Sequence, residues 1–160
     1  MPDDPVNAFV PHTPPPLKGA GSGPLKGLNF AVKDLYDTEG YVTGGGNPEW
    51  LASHGPARHT SPLVAKLLDA GADMTGQTIC DELFYSFTGA NAHHGTPTNS
   101  RAPERTPGGP PSRSAAASAA RLCPFALPRH TRPSVRAPPL LPGVSGRRPP
   151  HARPGAAPPL

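Results

Sequence analysis

The sequence predicts an α/β fold with a mixed, largely parallel sheet flanked by helices. Three observations predict it. In residues 28–33 apolar Leu28, Phe30 and Val32 alternate with Asn29, Ala31 and Lys33, the period of a half-buried strand. In residues 61–70, Leu63, Val64, Leu67 and Leu68 form one apolar stripe at helical spacing. Residues 72–78 then read as a second short strand. Strand, helix and strand in that order over 28–78 form a βαβ-type unit, and such units build parallel sheets.

Composition divides the chain. Its 160 residues allow one domain. Proline is far in excess at 26 residues, 15 of them after residue 100, and ten of the eleven arginines lie in that same part. Glu104 is the sole acidic residue after Glu82. The first hundred residues therefore read as globular sequence and the last sixty as basic, proline-rich and of low complexity. The expected division is an N-terminal arm over 1–24, a domain over 25–136 and a tail over 137–160 that is expected to be disordered.

A basic tail admits nucleic acid or an anionic surface as a partner. No aromatic residue is interleaved with arginine between Arg129 and Arg153, so base stacking has nothing to use. Cys80 and Cys123 are too few for a disulfide framework or a zinc site and fit a reduced, cytosolic setting. Met1–Pro5 is acidic and is not followed by the apolar stretch of a signal peptide. No apolar run approaches the ~20 residues of a membrane span.

Taken in order, the arm is Pro/Gly-rich, and Val6, Phe9 and Val10 either dock on the core or fray with the terminus. Leu25–Leu35 is the first strand, with Lys33 on the side opposite to Phe30 and Val32. Asp37–Pro48 is a loop around Gly44-Gly45-Gly46. No Gly-Lys-Ser/Thr follows at phosphate-loop spacing, so the triple glycine reads as a turn. Ser61–Ala70 is a helix capped by Thr60 or Ser61, opened by Pro62 and stopped by Gly71. Ala72–Thr78 is the second strand. Asp81–Phe87 reads as a short helix whose Asp81 and Glu82 suit the positive end of its dipole. These two acids are adjacent and point differently, a poor acid/base pair. His93 and His94 lie in a loop with no third ligand at metal spacing and read as surface residues.

The densest run of small residues lies between Pro107 and Arg136, P-G-G-P-P-S-R-S-A-A-A-S-A-A-R-L-C-P-F-A-L-P-R-H-T-R-P-S-V-R. Such residues serve where backbone must approach something closely. The run resembles the amidase signature, G-G-S-S-S-G-S followed by a small-residue helix and G-T-D-T-G-G-S-V-R, and aligns with it without a gap. V-K-D at residues 32–34 and G-Y-V-T-G-G-G-N-P-E-W at 40–50 also look like that family, especially its indoleacetamide-hydrolase-like branch. After Ser134 the likeness continues through V-R-A-P and Gly143-V-S-G-R-R-P-P-H. The resemblance covers residues 6–153.

The resemblance implies the N-terminal part of the amidase-signature fold and hydrolysis of an amide C–N bond to a carboxylate and ammonia, with small arylacetamides as the substrate class. It implies no metal or organic cofactor. In the family a neutral lysine acts as base through a bridging serine on a nucleophilic serine, and backbone N–H groups stabilise the oxyanion. Carried over residue by residue, the base is Lys33, the nucleophile Ser134 and the bridging position Pro110. The oxyanion hole is the backbone around Thr131, Arg132, Pro133 and Ser134.

Two departures strike at that chemistry. Pro110 has no hydroxyl to relay a proton, and Pro133 has no N–H to donate. Losing one oxyanion donor costs ~10²–10³ in kcat, and losing the relay of a triad that works as a unit costs more. Arg113, Arg121, Pro128 and Arg132 stand where the pattern has Gly, and His130 where it has Asp. If those glycines take positive φ or lie against backbone, their replacements are costly. Ser112 and Ser114 survive nearby. Family sequences continue well beyond this length, so a chain folding by itself is expected to fold poorly, with local structure in 25–100 and unpaired sheet edges. Two further readings stand beside the hydrolase: a non-catalytic amidase-like interaction module, and a basic nucleic-acid-binding tail on a small α/β domain.

Overall fold

The computed structural model describes residues 3–12, 15–84, 88–109, 112–129 and 143–146. Three parallel strands form its sheet in the order β2-β1-β3: β1 is Asn29–Lys33, β2 is Asp73–Thr78 and β3 is Phe125–Leu127. Three helices accompany them: α1, Pro48–Ser53; α2, Pro62–Asp69; and α3, Ser112–Ala119. The α/β class and the largely parallel sheet are as the alternation and the βαβ order predict.

β1 and β3 send alternate side chains to two different cores. Phe30 and Val32 pack with Val64 of α2, Met74 of β2, Tyr36 and Tyr41. Phe125 and Leu127 of β3 join this side, the two phenyl rings stacking with centroids 5.6 Å apart. Burying side chains of this size stabilises by ~1.5–3 kcal/mol each. On the other side Ala31 meets Ala116 and Ala117 of α3, together with Val6, Ala8 and Phe9 of the arm. The residues where α3 meets β1 are alanines, so the α3 backbone comes close to the sheet, with Leu122 and the arm's Val6 and Phe9 filling the margin.

The arm is fastened to the outer edge of β2. The Val10 amide donates to the Gln77 carbonyl, that of Ile79 to Ala8, and Leu17 and Met74 exchange both bonds. The Asp4 carboxylate accepts from the Ala8 and Phe9 amides. Val6, Phe9 and Val10 are buried. Docking satisfies backbone groups that an open strand edge would leave unpaired.

The first strand is shorter than Leu25–Leu35: residues 24–27 form a turn, and Leu28, in phase with Phe30, precedes the strand with its side chain 40% exposed, though its carbonyl accepts the Asp73 amide. α2 falls where its caps predict, and Gly71 at φ +94° ends it. α1 has no counterpart in the loop expected over 37–48, although its signals are present: Asn47 accepts from the Trp50 amide and Pro48 opens the helix.

The helix expected over Asp81–Phe87 is a correction. A single 3₁₀ turn, Glu82–Phe84, stands there, with Leu83 and Phe84 at positive φ, and residues 85–87 lie outside the described residues. The Leu83 amide bonds to the Gly45 carbonyl, and Asp81 turns its carboxylate inward rather than toward a helix start. The tail expected over 137–160 lies outside the described residues apart from 143–146.

Candidate active site around Lys33

Lys33 ends β1 on the α3 side of the sheet, and its side chain is 2% exposed. Its ammonium lies 3.3 Å from Asp81 Oδ2, and that carboxylate is equally buried. A buried charge requires such a partner. The register of the sheet supplies it: Lys33 stands beside Thr78, the last residue of β2, and the chain leaving β2 brings Cys80 and Asp81 over the lysine. Thr78 Oγ1 and Ser114 Oγ of α3 share a hydrogen bond of 2.9 Å. Ser112 Oγ, also buried, has no partner among the described residues and lies against Gly89, where any side chain would collide with it.

The charges here are tightly coupled. Burial raises the pKa of Asp81, while Lys33 first and Arg113 further off pull it back. Burial pushes the Cys80 thiol up to about 12, so it is a poor nucleophile. Arg113 is itself buried, which lowers its guanidinium to about 10. It donates to three backbone carbonyls, those of Asn7, His94 and Gly95, and so ties α3 to the arm and to the turn over 91–95.

The neighbouring residue faces another way. Asp34 is fully buried and accepts the Gly44 amide at 2.8 Å. Burial pushes its carboxyl up to about 7, against the pull of the Gly44, Gly46 and Gly45 amides and of Lys33. The triple glycine is a turn, as expected, and its anion is internal. Gly45 and Gly46 hold φ of +56° and +69°, and a side chain on Gly46 would strike the Cys80 carbonyl.

Of the residues assigned from sequence, Lys33 is in a buried, polar, charged setting. Pro110, Thr131, Arg132, Pro133 and Ser134 lie outside the described residues, as do the departures His130 and Arg132. Three other departures, Arg113, Arg121 and Pro128, lie within the described residues, Pro128 directly after β3. Arg113 occupies ordinary helical backbone, where the exchange of Gly for Arg adds hydrogen bonds rather than strain. Arg121 has φ +60°, the region that favours glycine. Asp81 and Glu82 diverge as adjacent residues should: Glu82 is exposed and accepts from Asn47 and His93. Sequence reasoning missed Asp81 as the partner of Lys33. The available signal was a lysine on the inward side of a strand, which needs a nearby carboxylate, with Asp81 just past the strand that pairs with it.

A buried lysine–carboxylate pair stands at the ends of two parallel strands, on an α/β scaffold packed against a small-residue helix. The chain belongs to the Amidase family, whose model matches residues 16–157. It is 51% identical over 137 residues to Amidase 1 of Arabidopsis thaliana, covering 85% of this chain and 32% of that protein. It is 44% identical over 140 residues to Translocon at the outer membrane of chloroplasts 64 of Pisum sativum, covering 86% and 24%. Among solved structures, allophanate hydrolase of Kluyveromyces lactis superposes with a TM-score of 0.65 at 31% identity, covering 72% of this chain and 18% of that one. The chain thus spans a third or less of the length of these relatives. No helix among the described residues is long and apolar enough to cross a membrane.

Proposed function

We propose that this chain carries the base-bearing part of a cytoplasmic amidase that hydrolyses small amides to a carboxylate and ammonia, with a catalytic segment damaged at two positions. The observation that carries this reading is the buried Lys33 ammonium, held 3.3 Å from Asp81 beside the Thr78–Ser114 hydroxyl pair. Lys33 acts as base in its neutral form, its proton passed to Asp81, whose carboxyl pKa is raised by burial, and Ser134 acts as nucleophile. Pro110 interrupts the relay between them, and Pro133 removes an oxyanion donor. The Amidase 1 relative supports the reaction class. Arylacetamides remain the substrate class the sequence favours.

A fluorophosphonate probe tests this on the full chain. Little labelling is expected from the native sequence, and Pro110→Ser combined with Pro133→Gly should bring labelling that Lys33→Ala and Ser134→Ala each abolish. Strong labelling of the native chain that is lost in Ser134→Ala would overturn the view that the two prolines disable it. A folded repaired variant that stays unlabelled would overturn the assignment of Lys33 and Ser134.

A second reading, a non-catalytic interaction module, is favoured by the 44% identity to a translocon component and by the way Arg113 is accommodated without loss of the helix. A well-folded chain that takes no label even after repair, and a cellular location at a membrane surface, would select it.

A further inference from the structure

Two buried polar atoms border the glycine turn, each without a hydrogen-bond partner among the described residues. Asp34 Oδ1 accepts the Gly44 amide, but Oδ2 is left over. His12 Nε2, two residues beyond the point where Val10 bonds to β2, is the other. Both flank the same α-carbon: a side-chain carbon on Gly44 would lie 3.0 Å from Asp34 Oδ2 and 3.4 Å from His12 Nε2. No direct hydrogen bond joins the two atoms. The two hydrogen bonds of one water span ~5.6 Å, and a buried water of this kind answers orphaned polar atoms elsewhere in proteins.

We propose that Asp34 and His12 hold one buried water over Gly44, and that this bridge links the N-terminal arm to the glycine turn beside Lys33 and reverses its direction when Asp34 ionises. With Asp34 protonated, its hydroxyl donates to the water, the water donates to His12 Nε2, and the imidazole carries its proton on Nδ1. When Asp34 gives up its proton to solvent, the carboxylate accepts from the water. The imidazole proton then passes through solvent from Nδ1 to Nε2, which donates to the water. The pair loses one proton in all.

The surroundings allow this exchange near neutrality. Asp34 is raised to about 7 by burial. His12 is lowered, by burial first and by His94 second, which favours its neutral form. The charge of Lys33 acts on Asp34 from the end of β1, the Cys80 thiol lies nearby, and the Gly44–Gly46 amides face the carboxylate from the turn. His94 faces the imidazole.

Long-range ¹H–¹⁵N correlation spectra of the full chain read the His12 tautomer directly. The expected result is a change from the Nδ1–H to the Nε2–H form with a midpoint near pH 7, lost in Asp34→Asn. Gly44→Ala, at a position without positive φ, crowds the bridge and should also fix the tautomer while leaving the fold intact. One tautomer on both sides of neutrality in the native chain, or a change that persists in Gly44→Ala or Asp34→Asn, would overturn the proposal. Charge proximity alone would move the His12 midpoint without exchanging the tautomer.

Discussion

The two faces of the sheet are built to opposite rules. Toward α2, large apolar side chains interdigitate: Phe30, Val32, Val64, Met74 and the rings of Tyr36 and Tyr41. Toward α3, alanines bring backbone close to backbone, and the strand ends on that side carry Lys33 and Thr78, with Ser114 opposite. One strand, β1, supplies both. The first face holds the sheet together, and the second uses the space left by small residues to bury charge and hydroxyls.

The sharpest way to break that contrast is to damage each face through the interaction that builds it. Phe30→Ala opens a cavity on the α2 side and should cost ~3–5 kcal/mol in denaturant unfolding. Asp81→Ala on the other side should cost a similar ~3–5 kcal/mol, because it leaves the Lys33 ammonium buried and stripped of its carboxylate. The two losses have different causes. Lys33→Met combined with Asp81→Leu should recover most of the second loss, since a buried ion pair replaced by apolar side chains is often neutral. If the double variant is no more stable than Asp81→Ala, the pair is not the source of the cost.

Close approach is tested by adding volume. Ala116→Leu places a large side chain where α3 meets Ala31 and should destabilise by ~1–3 kcal/mol. Leu63→Met, at the partly buried margin of the α2 face, should stay within ~1.5 kcal/mol. Equal tolerance at both positions would mean that the small residues are incidental.

How much of this is legible in the sequence follows the same division. The α2 face is written in periodicity, since Phe30 and Val32 alternate and Leu63, Val64, Leu67 and Leu68 recur at helical spacing. The α3 face gives no such signal: a run of alanines and serines shows that something comes close but not what. Lys33 stands out through a motif and through its phase opposite to Phe30. Asp81 reads as the start of a helix because a sequence does not show that the lysine across the sheet claims its carboxylate. β3 escapes notice, because three residues ending before Pro128 carry too little alternation to read as a strand.

Acidity separates Asp34 from its neighbours. Its carboxyl ionises above 3.8 when unfolded and only above about 7 in the fold. Its protonated form therefore contributes stability that is complete below the unfolded value and lost as pH rises through the folded one. The difference in unfolding free energy between the native chain and Asp34→Asn should fall over that window by up to ~1.4 kcal/mol per pH unit. A difference that is flat between pH 3.8 and about 7 would show that the carboxyl is open to bulk solvent in the fold.

The smallest effect concerns the end of α3, where Arg121 follows the helix at φ +60°. A left-handed residue just past a helix is where glycine is favoured, and a side chain there is strained by ~1 kcal/mol. Arg121→Gly should therefore stabilise by ~0.5–1 kcal/mol, even though glycine adds freedom to the unfolded chain. Arg113→Gly should do the reverse, because Arg113 sits in helical backbone and its guanidinium serves three carbonyls. Of the arginines that stand where the family pattern has glycine, Arg121 goes against the local backbone and Arg113 accords with it. If both reversions stabilised the chain, the bonds made by Arg113 would contribute less than the burial of its charge costs.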